Sequence, residues 1–208
     1  MMRLLAFTLC AFLGLVACGA GKKDPVDTSG TWPAQVTDDY EDVTDKWMRT
    51  TSMRAAYQEV LELSAVLKSP EWRAAYAKRD AAHRGLAGEA LQQRMAQAQA
   101  DMEGPWEVEL LVTTWDRREN DLDRGKRSVW RVVLVDDNGT EIEPLEIVKD
   151  KRPRFTISAD YPAYGDFTTA YVARFPRTAT ILGPGVKQVR LRMSGSRGGV
   201  ELRWLGAQ

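Results

Sequence analysis

The chain has 208 residues, with 29 basic and 29 acidic side chains, one histidine and two cysteines. Balanced charge removes the electrostatic case for a nucleic-acid partner, which a protein recruits through a clustered basic surface. The length suits one domain with a buried core, and a single histidine with so few thiols leaves too few ligands for a zinc site of the usual kind.

The N-terminus opens with Met1-Met2-Arg3, and Leu4 to Val16 is apolar apart from Thr8, Cys10 and Gly14. That run falls short of the roughly 20 residues a spanning helix needs. A charged start, an apolar middle and a small residue before the cut are the layout of a secretory signal. Leu15-Val16-Ala17 then leads directly into Cys18. This tetrad resembles the lipobox of bacterial lipoproteins. The resemblance covers residues 1–18 and implies cleavage between Ala17 and Cys18, with 1–17 a cleaved signal peptide and Cys18 carrying palmitate-type acyl chains. Each buried CH₂ contributes about 0.8 kcal/mol, and two or more chains anchor stably, so the resemblance implies lasting membrane attachment. Gly19, not Asp, follows the cysteine; for this family that implies the outer membrane, facing the periplasm. Cys10 leaves with the signal, so no free thiol and no disulfide remain on this reading.

Residues 18–37 are rich in Gly, Lys, Asp, Pro, Ser and Thr and are expected to form a disordered, lipid-anchored tether. A flexible segment of that length reaches roughly 25 Å. Trp32 is its one aromatic, and the sequence leaves its role open. Residues 38–104 read as helical. Thr44 is a candidate N-cap, and Val43, Trp47, Arg54, Tyr57, Leu61 and Ala65 recur at steps of three and four, with Val60 beside them. Ser69-Pro70-Glu71 marks a second start, with a Ser cap, Pro at the first helical position and an acid in the first turn. Trp72, Tyr76, His83, Leu86 and Ala90 then share a face, though Gly85 and Gly88 interrupt it. Gly104-Pro105 ends the helical region. The expected form is an antiparallel helix pair turning near Lys68.

Residues 105–208 change to strand patterning. Trp106 to Val112 alternates, Ser128 to Val135 is β-rich, and Asn138-Gly139 before Thr140 to Val148 signals a hairpin. Phe155 to Ser158, Thr168 to Phe175, Thr178 to Leu182, Lys187 to Met193 and Val200 to Trp204 supply further short runs. The expected class is α+β: an N-terminal helical pair followed by an antiparallel, immunoglobulin-like β-sandwich, packed as one unit. Two units hinged at Gly104-Pro105 are the alternative. The layout as a whole resembles uncharacterised envelope lipoproteins.

Few residues suggest chemistry. His83, on the apolar stripe, reads as a histidine packed at the helix–sheet boundary. Phosphate-loop and Gly-x-Ser-x-Gly motifs are missing from the sequence. Asp116, Asn120, Asp121 and Asp123 offer the hard oxygens calcium takes. Arg117, Arg118, Arg124, Lys126 and Arg127 share that loop and oppose a dication, so a salt-bridged loop is the stronger reading. Of the seven tryptophans, Trp47, Trp72, Trp106, Trp115, Trp130 and Trp204 read as core. Lys187, Arg190 and Arg192 read as a basic edge strand. The aromatic loop from Asp160 to Phe167 supplies the candidate contact surface, Tyr161, Tyr164 and Phe167, because exposed aromatics on loops serve as binding anchors. No catalytic residue, metal ligand or cofactor is expected. The leading expectation is a non-enzymatic binding or assembly module on the membrane, with an envelope protein as its partner. A small-ligand carrier or sensor using the helix–sheet crevice is the alternative, and a hydrolase with a carboxylate site is the remote one.

Overall fold

The computed structural model describes residues 23–55 and 58–207. Ala17, Cys18 and residues 1–17, the expected signal, lie outside the described residues, as does Tyr57. The architecture is mixed α and β. Helix α1 (Tyr40–Trp47) runs into a hairpin of β1 (Met48–Ala55) and β2 (Gln58–Leu67). Helices α2 (Pro70–His83) and α3 (Gly88–Ala100) follow. Then come β3 (Trp106–Thr114), β4 (Trp130–Val135), β5 (Glu141–Ile142) and β6 (Glu146–Lys149). Helix α4 (Arg154–Asp160) precedes β7 (Thr169–Phe175), β8 (Gln188–Gly195) and β9 (Gly198–Leu205).

The strands form two antiparallel sheets: five strands in the order β1-β2-β3-β7-β6, and four in the order β5-β4-β8-β9. One hydrophobic cluster joins them, taking Leu63, Leu110 and Phe175 from the first sheet and Leu134, Leu191 and Trp204 from the second. Burying such side chains on facing sheets is the main stabilising term. Glu107 and Glu109 of β3 point to the opposite face, where Lys68, Arg73 and Tyr161 meet them. Central β3 is therefore covered on both faces.

The helical expectation for 38–104 is corrected over 48–67, which form the β1–β2 hairpin. Trp47 ends α1, and Met48 is already extended (φ −81°, ψ 135°). Arg49-Thr50-Thr51-Ser52 favours this, since β-branched and hydroxyl side chains weaken a helix. Thr50 pairs with Ser64 across the hairpin, their hydroxyls 2.8 Å apart. From Leu63 to Leu67 every residue of β2 is buried, on both faces, and such a run carries no periodicity that separates strand from helix. The helix pair is α2 and α3 instead. Ser69 caps α2 as expected, its hydroxyl accepting from the Trp72 amide at 3.1 Å.

Three further runs differ. Phe155 to Ser158 is helical in α4, because Pro153 sets the entry and its carbonyl accepts from the Ile157 amide at 3.1 Å. Thr178 to Leu182 is a loop whose Ile181 and Leu182 are buried; Pro176 and Gly183-Pro184 leave no room for a strand. Thr140 to Val148 divides at Pro144 into β5 in one sheet and β6 in the other, since proline cannot donate to a ladder. The Asn138-Gly139 turn is present, with Gly139 at φ +88°.

The expected tether is also corrected over residues 26–28, while its residues 18–22 lie outside the described residues. Val26 is fully buried and bridges Gly206 in parallel. Its amide donates to the Leu205 carbonyl at 2.8 Å, and its carbonyl accepts from Ala207 at 3.2 Å. Thr28 donates to the Val186 carbonyl and accepts from the Gly183 amide. Residues 26–28 thus strap onto the sheet beside β9. Gly206 permits this approach, since a Cβ there would sit 2.5 Å from the Thr28 hydroxyl oxygen. Gly206→Ala is expected to detach the strap at a cost of about 1–2 kcal/mol. Limited trypsin digestion checks it: cleavage after Lys23 accelerates while the rest of the domain stays protected.

Candidate functional site

Two places stand out. The first is a crevice of about 250 Å³ between α2, α3 and the outer face of β3, lined by Lys68, Trp72, Arg73, Tyr76, Arg94, Ala98, Asp101, Glu107, Arg152 and Tyr161. Beneath it Glu109 is completely buried. Its Oε2 lies 3.0 Å from the Lys68 ammonium and accepts from the Tyr161 hydroxyl at 3.3 Å. Its Oε1 has no hydrogen-bond partner, with the Arg152 guanidinium 3.8 Å away. Arg152 also pairs with Asp150 at 2.6 Å and with Asp160, which in turn holds Arg79. The Arg79 guanidinium lies 3.8 Å over the Tyr40 ring. Above the ions, Trp72 stacks with Tyr76 (5.2 Å, 15°) and with Tyr161 (6.1 Å, 8°).

Burial sets the protonation of this cluster. It pushes the Glu109 carboxyl above its ordinary range, and Lys68 and Arg152 only partly offset it. Burial also pushes Glu107 up, but Lys68, Arg73 and Arg174 outweigh it and hold that carboxyl low. Asp150 is likewise held low against burial by its bonds to Arg152. The Tyr161 hydroxyl is pushed well up by burial and by the Glu109 charge.

The second place is a mostly apolar groove of about 410 Å³ at the far end of β2 and β3, lined by Glu59, Leu61, Glu62, Thr113, Thr114, Trp115, Arg117 and Phe167. Trp115 is 69% exposed and Phe167 67%. Neither hangs on loose chain. The Trp115 amide donates to the Val60 carbonyl at 3.2 Å, prolonging the sheet. The Phe167 loop is tied through Thr168, whose hydroxyl lies 3.0 Å from that of Thr113. The Arg117 guanidinium sits 5.0 Å over the Phe167 ring.

The expected Tyr161–Tyr164–Phe167 surface is therefore divided. Tyr161 is buried in the ionic cluster, Tyr164 is half-buried beside Arg154, and Phe167 alone is exposed. Trp115 takes its neighbours' place. The alternation of β3 carries the signal: Trp106, Val108, Leu110 and Val112 point inward, which turns Trp115 outward. The core expectation for Trp115 is thereby corrected, while Trp47, Trp72, Trp106, Trp130 and Trp204 are buried with their indole N–H groups satisfied, as at Trp204, which donates to the Trp47 carbonyl at 2.7 Å. Trp32 is half-buried. His83 is exposed at the end of α2 rather than packed at the boundary, because it falls past the last buried turn at Ala81. In the 116–123 loop, Asp121 accepts from Ser128 and Val129, Asp123 pairs with Lys149, and Asp116 pairs with Arg118. Among the described residues no group of three or more His, Cys, Asp or Glu is placed to hold a metal ion. Arg190 and Arg192 lie on β8, which is interior to its sheet and not an edge; Arg192 pairs with Glu141 at 2.7 Å and Glu201 at 3.2 Å. The chain matches no protein-family model, no curated protein and no solved structure.

The ionic cluster makes a pH-dependent prediction. Folding raises the Glu109 pKa, so the stability carried by its protonated form is present below the usual carboxylate range and declines as pH rises through the raised value. Urea unfolding at about pH 4 and about pH 8 is expected to show wild type losing stability relative to Glu109→Gln as pH rises. Parallel profiles would count against it. Lys68→Ala removes the nearer of the two cations facing the buried carboxylate and is expected to cost about 3 kcal/mol at neutral pH, with Glu109→Gln restoring part of the loss in the double variant.

Proposed function

We infer that this chain is an envelope lipoprotein, anchored through Cys18 and facing the periplasm from the outer membrane, that works as a non-enzymatic binding or assembly module. One observation carries the binding half: Trp115 and Phe167, both largely exposed, line one mostly apolar groove. Burying two such aromatics gives a partner protein the anchors that dominate interface energetics. The lipid half rests on Leu15-Val16-Ala17-Cys18.

We assign the double sheet to an immunoglobulin-like sandwich. Lettering the strands in chain order from β2, with β5 as C′, gives A-B-E-D in one sheet and C′-C-F-G in the other, the order of that architecture. The hairpin strand β1 outside A and the α2–α3 insertion between A and B are additions.

The crevice favours a second reading, a carrier or sensor of a small ligand. Its stacked aromatics and four lining cations suit a flat molecule bearing an anionic group.

Trp115→Ala with Phe167→Ala is expected to abolish crosslinking to a stoichiometric envelope partner while changing stability by under about 0.5 kcal/mol. Retention of that partner by the double variant rejects the groove. Cys18→Ala is expected to move the protein from the membrane pellet to the soluble fraction.

A further inference from the structure

The strap changes the geometry of anchoring. Between Cys18 and buried Val26 lie only residues 19–25. Eight Cα steps span at most about 29 Å when fully extended, and a flexible chain of that length averages roughly 15 Å. Lys23 shortens it further, since its ammonium pairs with Asp45 at 2.6 Å. A body of this size has a radius of gyration of about 16 Å, so it is roughly 40 Å across. The tether is too short to let the domain tumble freely above its anchor.

The attachment point lies at one end of the double sheet. Val26 meets Leu205 and Gly206 beside the start of β8. At that same end β1 starts, and Trp204 donates to the Trp47 carbonyl. From there β3 runs through nine residues, Trp106–Thr114, or about 27 Å, to Trp115. The register places Gly198 and Gly195 together at that far end, where Arg197 pairs with Glu119.

The geometry points to an end-on seat on the bilayer: the end formed by Val26, Gly206 and the 183–187 loop rests against the lipid surface, and the Trp115–Phe167 groove faces away from it. This rests on acylation of Cys18. Bringing the groove to the bilayer instead requires the tether at nearly full extension, which is entropically costly. Exposed charges at the strap end are mixed, Lys23 and Lys187 beside Asp24, Asp27 and Asp45. The seat is therefore imposed by tether length, and salt leaves it unchanged.

The test uses the acylated full chain in vesicles of phosphatidylethanolamine and phosphatidylglycerol that carry a headgroup quencher. A fluorophore is placed through Pro184→Cys at the strap end or Arg118→Cys at the groove end; both positions are exposed. Quenching at the strap end is expected to exceed that at the groove end about twofold at low and high salt, and a flexible insertion of about 15 residues after Lys22 should abolish the difference. Equal quenching in a chain of acylated mass overturns the seat alone. A chain recovered without acyl mass overturns both the anchoring and the seat.

Discussion

The buried carboxylate of Glu109 is the constraint around which the covered face is arranged. A carboxyl fully removed from water needs compensation, and stranding it costs several kcal/mol. Lys68, at the exit from β2, and Arg152, just ahead of α4, supply it. Arg152 brings in Asp150 and Asp160, and Asp160 brings in Arg79 of α2. One charge on the central strand therefore fixes where two helices and the β6–α4 connection meet the sheet. Trp72 stacks on Tyr76 and on Tyr161 beside the ions, and the full burial of Glu109 keeps its local dielectric low and its pairing strong.

The crevice and the groove differ in what they leave unsatisfied. In the crevice most charges already have partners, so a ligand must displace ion pairs or fit beside them. At the groove, two aromatic rings meet water with only an arginine over one of them. Hydration of apolar surface is the unfavourable term that a partner removes. The free energy available for association lies at the groove.

Much of the sheet was legible in the sequence. Trp106 to Val112, Ser128 to Val135 and the Asn138-Gly139 turn announce themselves by alternation, β-branching and a positive φ. The hairpin at 48–67 was hidden because β2 from Leu63 onward is buried on both faces, which erases alternation, while α1 and α2 on either side lend it a helical context. Tyr161 and Trp115 exchanged roles for a related reason. Aromatic content alone cannot say which ring meets an ionic partner such as Glu109, but strand parity at Trp115 could have said which ring faces out. The strap was invisible in principle: Val26 and Thr28 sit in polar surroundings, and their partners, Leu205 and Val186, lie more than a hundred and fifty residues away.

That separation matters for how the molecule matures. Closing a loop of this size carries an entropic cost and yields few bonds, so the Val26–Gly206 bridge is expected to form only after β9 has paired with β8. Under the anchoring inferred at Cys18, the leash is long before then, and the young domain turns and folds away from the lipid. Once β9 is in place the strap zips down and the leash shortens. On that inference, folding winds the protein in toward its anchor, and the distance between domain and membrane reads out whether the last strand has docked.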